Sequence, residues 1–129
     1  MIGYKQKLGK YGEDFATEYL KKNKYKILER NYKNRYGEID IIASKNKVTV
    51  FVEVKTRFSS SYGSPYEAVD FYKRRRITNS AKAYLVKKGQ FYSDVRFDVI
   101  EVYGAIADGG FELDTVNHIE NAIDDIKLY

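Results

Sequence analysis

The sequence lacks several features that would place it in familiar classes of protein. It contains no cysteine, which excludes disulfide bonds and a thiolate zinc site. No apolar run approaches the ~18 residues of a membrane-spanning helix, and residues 1–14 lack the apolar core of a signal peptide. The one histidine, His118, we expect to pack locally or to cap the last helix rather than to catalyse. Together these features predict a cytoplasmic protein.

The composition is that of a folded, basic domain. The chain has 129 residues, of which 43% are hydrophobic and 32% charged, and this predicts a single domain over residues 1–129 with a real core. Its net charge is +5, which favours a polyanionic partner, most commonly nucleic acid. The 13 tyrosines could stack on bases, although tyrosine more often lines cores and sheet faces.

Hydrophobic periodicity predicts an α/β protein, a mixed β-sheet flanked by helices in the order α-β-β-β-α-β-(β)-α. The second helix has clear end signals: Ser64 and Pro65 form an N-terminal cap, and Gly89 is a stop. The predicted segments are a helix at 6–23, an extended segment within 25–35, strands at 37–43 and 48–57, a helix at 65–88, a strand at 94–104 and a helix at 117–127.

Three charged residues lie within apolar strands. Glu53 and Lys55 share one face of strand 48–57, and Asp40 interrupts the preceding strand. Burying such charges is costly unless they are paired or bind a metal. Reflection about a turn at 44–47 puts position 40 opposite position 51, so Glu53 lies one diagonal step from Asp40. The cluster predicts either a Mg²⁺ site with a lysine that orients water or a cross-strand salt bridge, and the residues alone leave both open.

Basic residues follow this strand and continue into the second helix. Arg57 ends the strand, where it could border DNA. Arg74 and Arg75, within the run KRRR at 73–76, should face solvent and could contact phosphates. The alternative for each arginine is an ordinary solvated surface.

Lys73 should differ from its arginine neighbours. It lies four positions from Val69 and four from Ile77, so it shares a helical row with two apolar residues and should turn toward the sheet. Its amine would then either reach water at the edge, with only its stem packed, or point at the mouth of the Asp40–Glu53 site.

Five motifs together resemble a known family. These are GED at 12–14, YGEIDIIA at 36–43, FVEVKTR at 51–57, a lysine in the following helix and RFDVI at 96–100. They resemble the bacterial YraN-like family, which is similar to archaeal Holliday-junction resolvases within the restriction-endonuclease-like superfamily. Ile39 replaces the proline of the superfamily's PD-(D/E)xK motif, but that proline is not a metal ligand.

The resemblance implies a restriction-endonuclease-like fold and a role for each matching residue. Asp40 and Glu53 would hold Mg²⁺, with Mn²⁺ as a possible substitute, and the backbone carbonyl of Val54 would be a further ligand. Lys55 would position or activate the attacking water. Glu13 would approach the metal from the first helix, whereas from the residues alone it is better explained as a solvated helix residue.

Two functions follow from this resemblance. The first is a Mg²⁺-dependent endonuclease acting on DNA, with branched DNA as a candidate substrate; a resolvase needs two sites and hence a homodimer. The second is a nucleic-acid-binding module that keeps the fold and the motif, cuts little or nothing, and acts through a partner.

Overall fold

The computed structural model describes residues 3–59, 71–90 and 94–122. They form one five-stranded sheet in the order β1-β2-β3-β4-β5. All neighbouring strands are antiparallel except β3 and β4, which are parallel and are separated in the chain by α2. The predicted mixed sheet with flanking helices is confirmed. The elements are α1 (Tyr4–Lys22), β1 (Lys26–Asn34), β2 (Gly37–Lys45), β3 (Val48–Phe58), α2 (Phe71–Lys87), β4 (Asp94–Ala107) and β5 (Gly110–Ile119).

The two helices cover opposite faces of the sheet, and each face has its own apolar cluster. The α1 cluster includes Ala16, Leu20, Ile41, Val50, Val52, Ile100 and Val102. The α2 cluster includes Ile39, Ile42, Phe51, Ile77, Tyr84, Leu85 and Phe97. Successive residues of β3 therefore alternate between the clusters, as the sequence pattern predicted.

A glycine brings α1 unusually close to β3. A side chain at Gly12 would collide with the Thr56 hydroxyl, so only glycine fits here without a shift. The close contact places the next residue, Glu13, beside the sheet. The predicted end of the second helix is confirmed. Gly89 has a left-handed φ of 67°, and its N–H donates a hydrogen bond to the Val86 carbonyl at 3.1 Å.

The C-terminal prediction is wrong where the structure tests it. Residues 117–119 end strand β5 rather than begin a helix, and residues 120–122 form a turn. The optional last strand is a full ten-residue element. Residues 123–127 of the predicted helix, like the Ser64 cap and the first turn of the second helix, lie outside the described residues. No helix among the described residues is long and apolar enough to cross a membrane.

Candidate active site

The β2–β3 hairpin places Asp40 and Glu53 at the end of its ladder. The antiparallel ladder ends at the pair Ile41–Val52, and Asp40 and Glu53 are the next residues on the two strands. The register expected from the sequence, with position 40 opposite position 51, is wrong because the turn is formed by residues 46–47, both with left-handed φ (51° and 66°). Its centre is therefore one residue later than assumed.

The side chains of β2 do not alternate regularly between the two faces of the sheet around Asp40. Ile39 packs in the α2 cluster and Ile41 in the α1 cluster, although residues two apart normally share a face. Opposite Asp40 on β1, Asn31 has a left-handed φ of 49°. Regular alternation around Asp40, assumed from the sequence, is therefore wrong. Its Oδ2 instead accepts a hydrogen bond from the Val54 N–H at 2.8 Å.

The Asp40 carboxyl is desolvated and surrounded by other carboxylates. Burial is the main cause that raises its pKa, from 3.8 to about 7, and repulsion from Glu53 adds to it. The hydrogen bond from Val54 lowers the pKa, while Glu13 and Glu38 raise it further. A cation bound here would offset both the lost hydration and the repulsion.

Glu53 is paired with the helix that covers it. The Lys73 ammonium of α2 forms an ion pair with Glu53 Oε1, and the Glu53 side chain is only 13% exposed. The Lys73 amine therefore contacts Glu53, while its side chain keeps 38% of its surface exposed. Its role at the Asp40–Glu53 site stays a prediction.

Glu13 also faces the site. Its Oε1 accepts a hydrogen bond from Asn31 Nδ2 at 2.7 Å, and the same amide lies 3.3 Å from Glu38 Oε1. The Glu13 side chain is 21% exposed. A fully solvated helix residue is therefore not what the structure shows, and the amide of Asn31 bridges two carboxylates next to Asp40.

Lys55 and Arg57 continue the polar face of β3 beyond Glu53. Lys55 is half-buried and pairs in register with Glu101 of the parallel strand β4. Arg57 Nε donates to Glu101 Oε2 at 2.8 Å, and the Glu101 side chain is only 4% exposed. Asn117 donates to the other Glu101 oxygen at 2.9 Å. Arg57 is therefore held by a buried carboxylate, and its contact with DNA stays a prediction.

The α2 arginines lie beyond Lys73. Arg75 is exposed, as predicted, whereas Arg74 is half-buried. Their contact with phosphates also stays a prediction.

Whether the residues of this site fit Mg²⁺ depends on how many protein ligands the ion needs. Among the described residues, no three Asp, Glu or His side chains are arranged to hold a metal ion. Mg²⁺ usually binds through one or two carboxylates and takes water and substrate phosphate as its remaining ligands. Asp40 and Glu53, with the neighbouring backbone of Val54, match that requirement.

A second polar cluster was missed by the sequence analysis. Asp98, whose side chain is fully buried, accepts hydrogen bonds from Arg96 at 2.8 and 2.9 Å. His118 Nε2 lies 2.7 Å from Asp98, and its Nδ1 lies 3.0 Å from the Tyr19 hydroxyl. His118 thus links β5, β4 and α1 instead of capping a helix. The charged pair Arg96 and Asp98 in an otherwise apolar strand was the available signal.

Comparisons with known proteins agree with one another on the family. A family model described as "Uncharacterised protein family UPF0102" matches residues 12–102. A UPF0102 protein of Clostridium beijerinckii is 46% identical over 115 residues, which cover 89% of this chain and 91% of the relative. UPF0102 protein TTE1452 of Caldanaerobacter subterraneus is 47% identical over 118 residues, covering 92% and 95%.

Among solved structures, the chain is similar to SfsA of Pyrococcus furiosus in complex with Ca²⁺, with 11% identity and a TM-score of 0.38. That alignment covers 84% of this chain but spans only 62% of SfsA, and a TM-score this low does not establish a common fold. The sequence relatives do establish the family, because they match nearly the whole chain. The chain belongs to the UPF0102 family.

Proposed function

We propose that this protein is a Mg²⁺-dependent endonuclease that hydrolyses DNA phosphodiester bonds on a restriction-endonuclease-like fold. The observation that carries the proposal is a desolvated Asp40 at the end of the β2–β3 ladder, whose pKa is raised by burial and by the charge of the nearby Glu53. If Asp40 and Glu53 had only a structural role, their carboxylates would repel each other and lower the stability of the folded protein. A site built to receive a divalent cation accounts for that repulsion.

The resemblance to PD-(D/E)xK nucleases supports the same assignment. Asp40 lies at the end of the β2–β3 ladder, Glu53 and Lys55 share one face of β3, and Glu13 approaches from α1. The resemblance implies catalytic roles for residues at these positions. The mixed sheet with α1 on one face and α2 on the other is compatible with that fold.

Each residue has a chemical role in this proposal. Asp40 and Glu53, with the Val54 carbonyl, would hold Mg²⁺, which supplies charge that polarises the scissile phosphate. Lys55 orients the attacking water and stabilises negative charge as the new P–O bond forms and the scissile P–O bond breaks. Lys73 neutralises Glu53 in the metal-free protein and contacts a phosphate oxygen when DNA is bound. Arg57, Arg74 and Arg75 hold the DNA backbone on either side.

A second candidate function is a DNA-binding module that cuts little or nothing. One observation favours it: Lys73 already satisfies Glu53 by an ion pair, so the pair is partly neutralised without any metal. Lys55 then has no catalytic role. Both candidates place the protein with DNA in the cytoplasm, and cleavage of a four-way junction would additionally require a homodimer with two sites.

Cleavage of a panel of labelled DNAs tests the proposal. The panel contains duplex, single-stranded, flap and four-way-junction DNA, each with Mg²⁺, with Mn²⁺ and with neither. The endonuclease predicts metal-dependent cleavage that Lys55→Ala removes and that Lys26→Ala, which changes an exposed lysine on the edge strand β1, preserves. If wild type binds these DNAs but cuts none of them with either metal, the binding module is correct instead.

A further inference from the structure

A second surface suited to nucleic acid lies between the β1–β2 turn and α2. A groove of about 510 Å³ runs between the β1–β2 turn and the outer face of α2. We call it the outer groove, and it is lined by Tyr36, Asn79, Lys82, Ala83, Val86 and Lys87. The α2 residues recur at three- and four-residue spacing, so they form one face of the helix. Lys73 lies nine residues before Lys82, about 14 Å along the axis.

Hydrogen bonds join the two walls of the outer groove, which are the β1–β2 turn and α2. Asn34, at the end of β1, accepts a hydrogen bond from the Ser80 hydroxyl at 3.1 Å and donates to the Ser80 carbonyl at 3.2 Å. Ser80 is fully buried. Gly37, with a φ of 153°, packs against Ser80 and Arg76. The turn that carries Tyr36 is therefore anchored to α2 before any ligand binds, which reduces the ordering cost of binding.

The charged residues of α2 and of the groove lining are all basic. The segment Phe71–Lys87 contains six lysines and arginines and no acidic residue. Lys82 and Lys87 line the groove itself, and Arg35 lies beside Tyr36. No acidic residue is among the groove's lining residues. Such a surface complements a polyanionic backbone.

The groove also offers an aromatic platform with an apolar floor. Tyr36 is 37% exposed, and the Arg35 guanidinium lies 4.8 Å from its ring centroid. Ala83 and the 62%-exposed Val86 provide apolar surface next to the ring. Aromatic rings and guanidinium planes among lysines are the features on which unpaired bases stack. Paired bases in a duplex do not expose their faces to such a ring.

We propose that the outer groove binds an unpaired stretch of DNA, with its phosphates on Lys82 and Lys87 and a base on Tyr36. The inference rests on the proposed function only in taking DNA as the partner, and it does not depend on cleavage. It gives the protein a DNA contact made by residues other than those of the Asp40–Glu53 site, which suits a substrate in which duplex and single strand adjoin.

Binding of labelled oligothymidylate, measured by fluorescence anisotropy without divalent metal, tests this inference. Lys82→Gln with Lys87→Gln should weaken binding and flatten the salt dependence by about 0.7 per lysine. Tyr36→Ala should weaken binding by roughly tenfold, and Tyr36→Phe should retain it. Lys21→Gln with Lys22→Gln removes the same charge from an exposed end of α1 and should bind like wild type. Circular dichroism melts establish that each variant is folded.

Three outcomes would overturn the inference. The first is unchanged binding in the Lys82/Lys87 variant, and the second is an equal loss in the Lys21/Lys22 control. The third is a Tyr36→Ala protein that binds oligothymidylate as tightly as wild type, because no base would then stack on Tyr36. A Mg²⁺ cleavage assay on the same variants keeps the two proposals apart, because the outer groove can bind DNA whether or not the Asp40–Glu53 site cuts it.

Discussion

The Asp40 carboxylate accepts a 2.8 Å hydrogen bond from the backbone N–H of Val54, so a side chain takes the place of a main-chain partner at the end of the β2–β3 ladder. The position of the carboxylate is therefore set by the backbone of β3, which also carries Glu53. The pair is formed by the fold before any ligand arrives. This preorganisation is what a metal site requires.

Replacing Asp40 by asparagine should stabilise the metal-free protein above neutral pH. The folded-state pKa of about 7 lies above the ordinary value of 3.8, so the folded protein binds this proton more tightly than the unfolded chain does. The contribution of Asp40 to stability should fall as pH rises from about 4 to about 7 and then level off. Asp40→Asn keeps an acceptor for the Val54 N–H and should raise the free energy of unfolding by on the order of 2 kcal/mol near pH 8, with little gain near pH 4.

Urea unfolding across this pH range measures the effect. Asp114→Asn, which changes an exposed carboxylate on β5, serves as the matched control and should follow the wild-type curve. Mg²⁺ should raise the melting temperature of wild type near pH 8 and not that of Asp40→Asn. Equal stability of Asp40→Asn and wild type at every pH would show that Asp40 is not a strained carboxylate.

Lys73→Met should separate the charge of this lysine from its packing. Methionine keeps most of the apolar stem, and because Lys73 is 38% exposed, solvent screening limits the loss of stability to about 1 kcal/mol. DNA cleavage should drop by about tenfold or more, since a group that neutralises phosphate charge is removed. Single-turnover cleavage beside Lys21→Met, an exposed lysine of α1, measures this. Full activity in Lys73→Met would leave the Glu53 contact as a structural ion pair.

Arg74→Ala with Arg75→Ala should weaken binding to all DNA sequences alike. Each arginine that no longer neutralises a phosphate should reduce the slope of log affinity against log salt by about 0.9 on duplex DNA. Titrations at several salt concentrations, with Lys21→Ala and Lys22→Ala combined as the control, give the slope directly. If the double variant binds DNA with wild-type affinity at every salt concentration, the DNA backbone does not contact these two arginines.

Asp98 should matter for stability rather than for cleavage. Burial alone would raise its pKa, but hydrogen bonds from His118 and Arg96 outweigh burial and hold the pKa below its usual value. Its contribution should be present above about pH 4 and be lost as pH falls further, the reverse of Asp40. Asp98→Ala should cost about 3 kcal/mol or more in urea unfolding, whereas Asp94→Ala at the exposed start of β4 should cost little. If Asp98→Ala and Asp94→Ala lose equally little free energy of unfolding, the hydrogen bonds of Asp98 to Arg96 and His118 do not stabilise the protein.

The sheet and the polar residues of β3 could be predicted because they depend on local patterns. The valines of β3 alternate with Phe51, Glu53 and Lys55 in the sequence, and the structure keeps that alternation. The exact register of β2 and β3 could not be predicted, because it depends on which two residues form the turn. The irregularity at Asp40 coincides with a left-handed residue, Asn31, on the neighbouring strand β1.

The structure of residues 117–122 likewise could not be predicted from local sequence patterns. Isoleucine spacing favoured a helix from residue 117, but Asn117 bonds Glu101 and His118 bonds Asp98, and both partners are on β4. These tertiary contacts override the local periodicity through residue 119. The Asp98 cluster was likewise hidden, because its three main members come from two strands and no short motif contains them all.

The most direct test of the account is Mg²⁺-dependent cleavage of labelled DNA by wild type, Asp40→Asn and Asp114→Asn under single-turnover conditions. The two substitutions remove the same charge, and Asp40→Asn retains the hydrogen bond to Val54. The account predicts cleavage by wild type and Asp114→Asn and at least a hundredfold slower cleavage by Asp40→Asn, on the order of the loss of a charge-stabilising group, with DNA binding retained. Equal cleavage by all three proteins would contradict the assignment of Asp40 and Glu53 as the metal site.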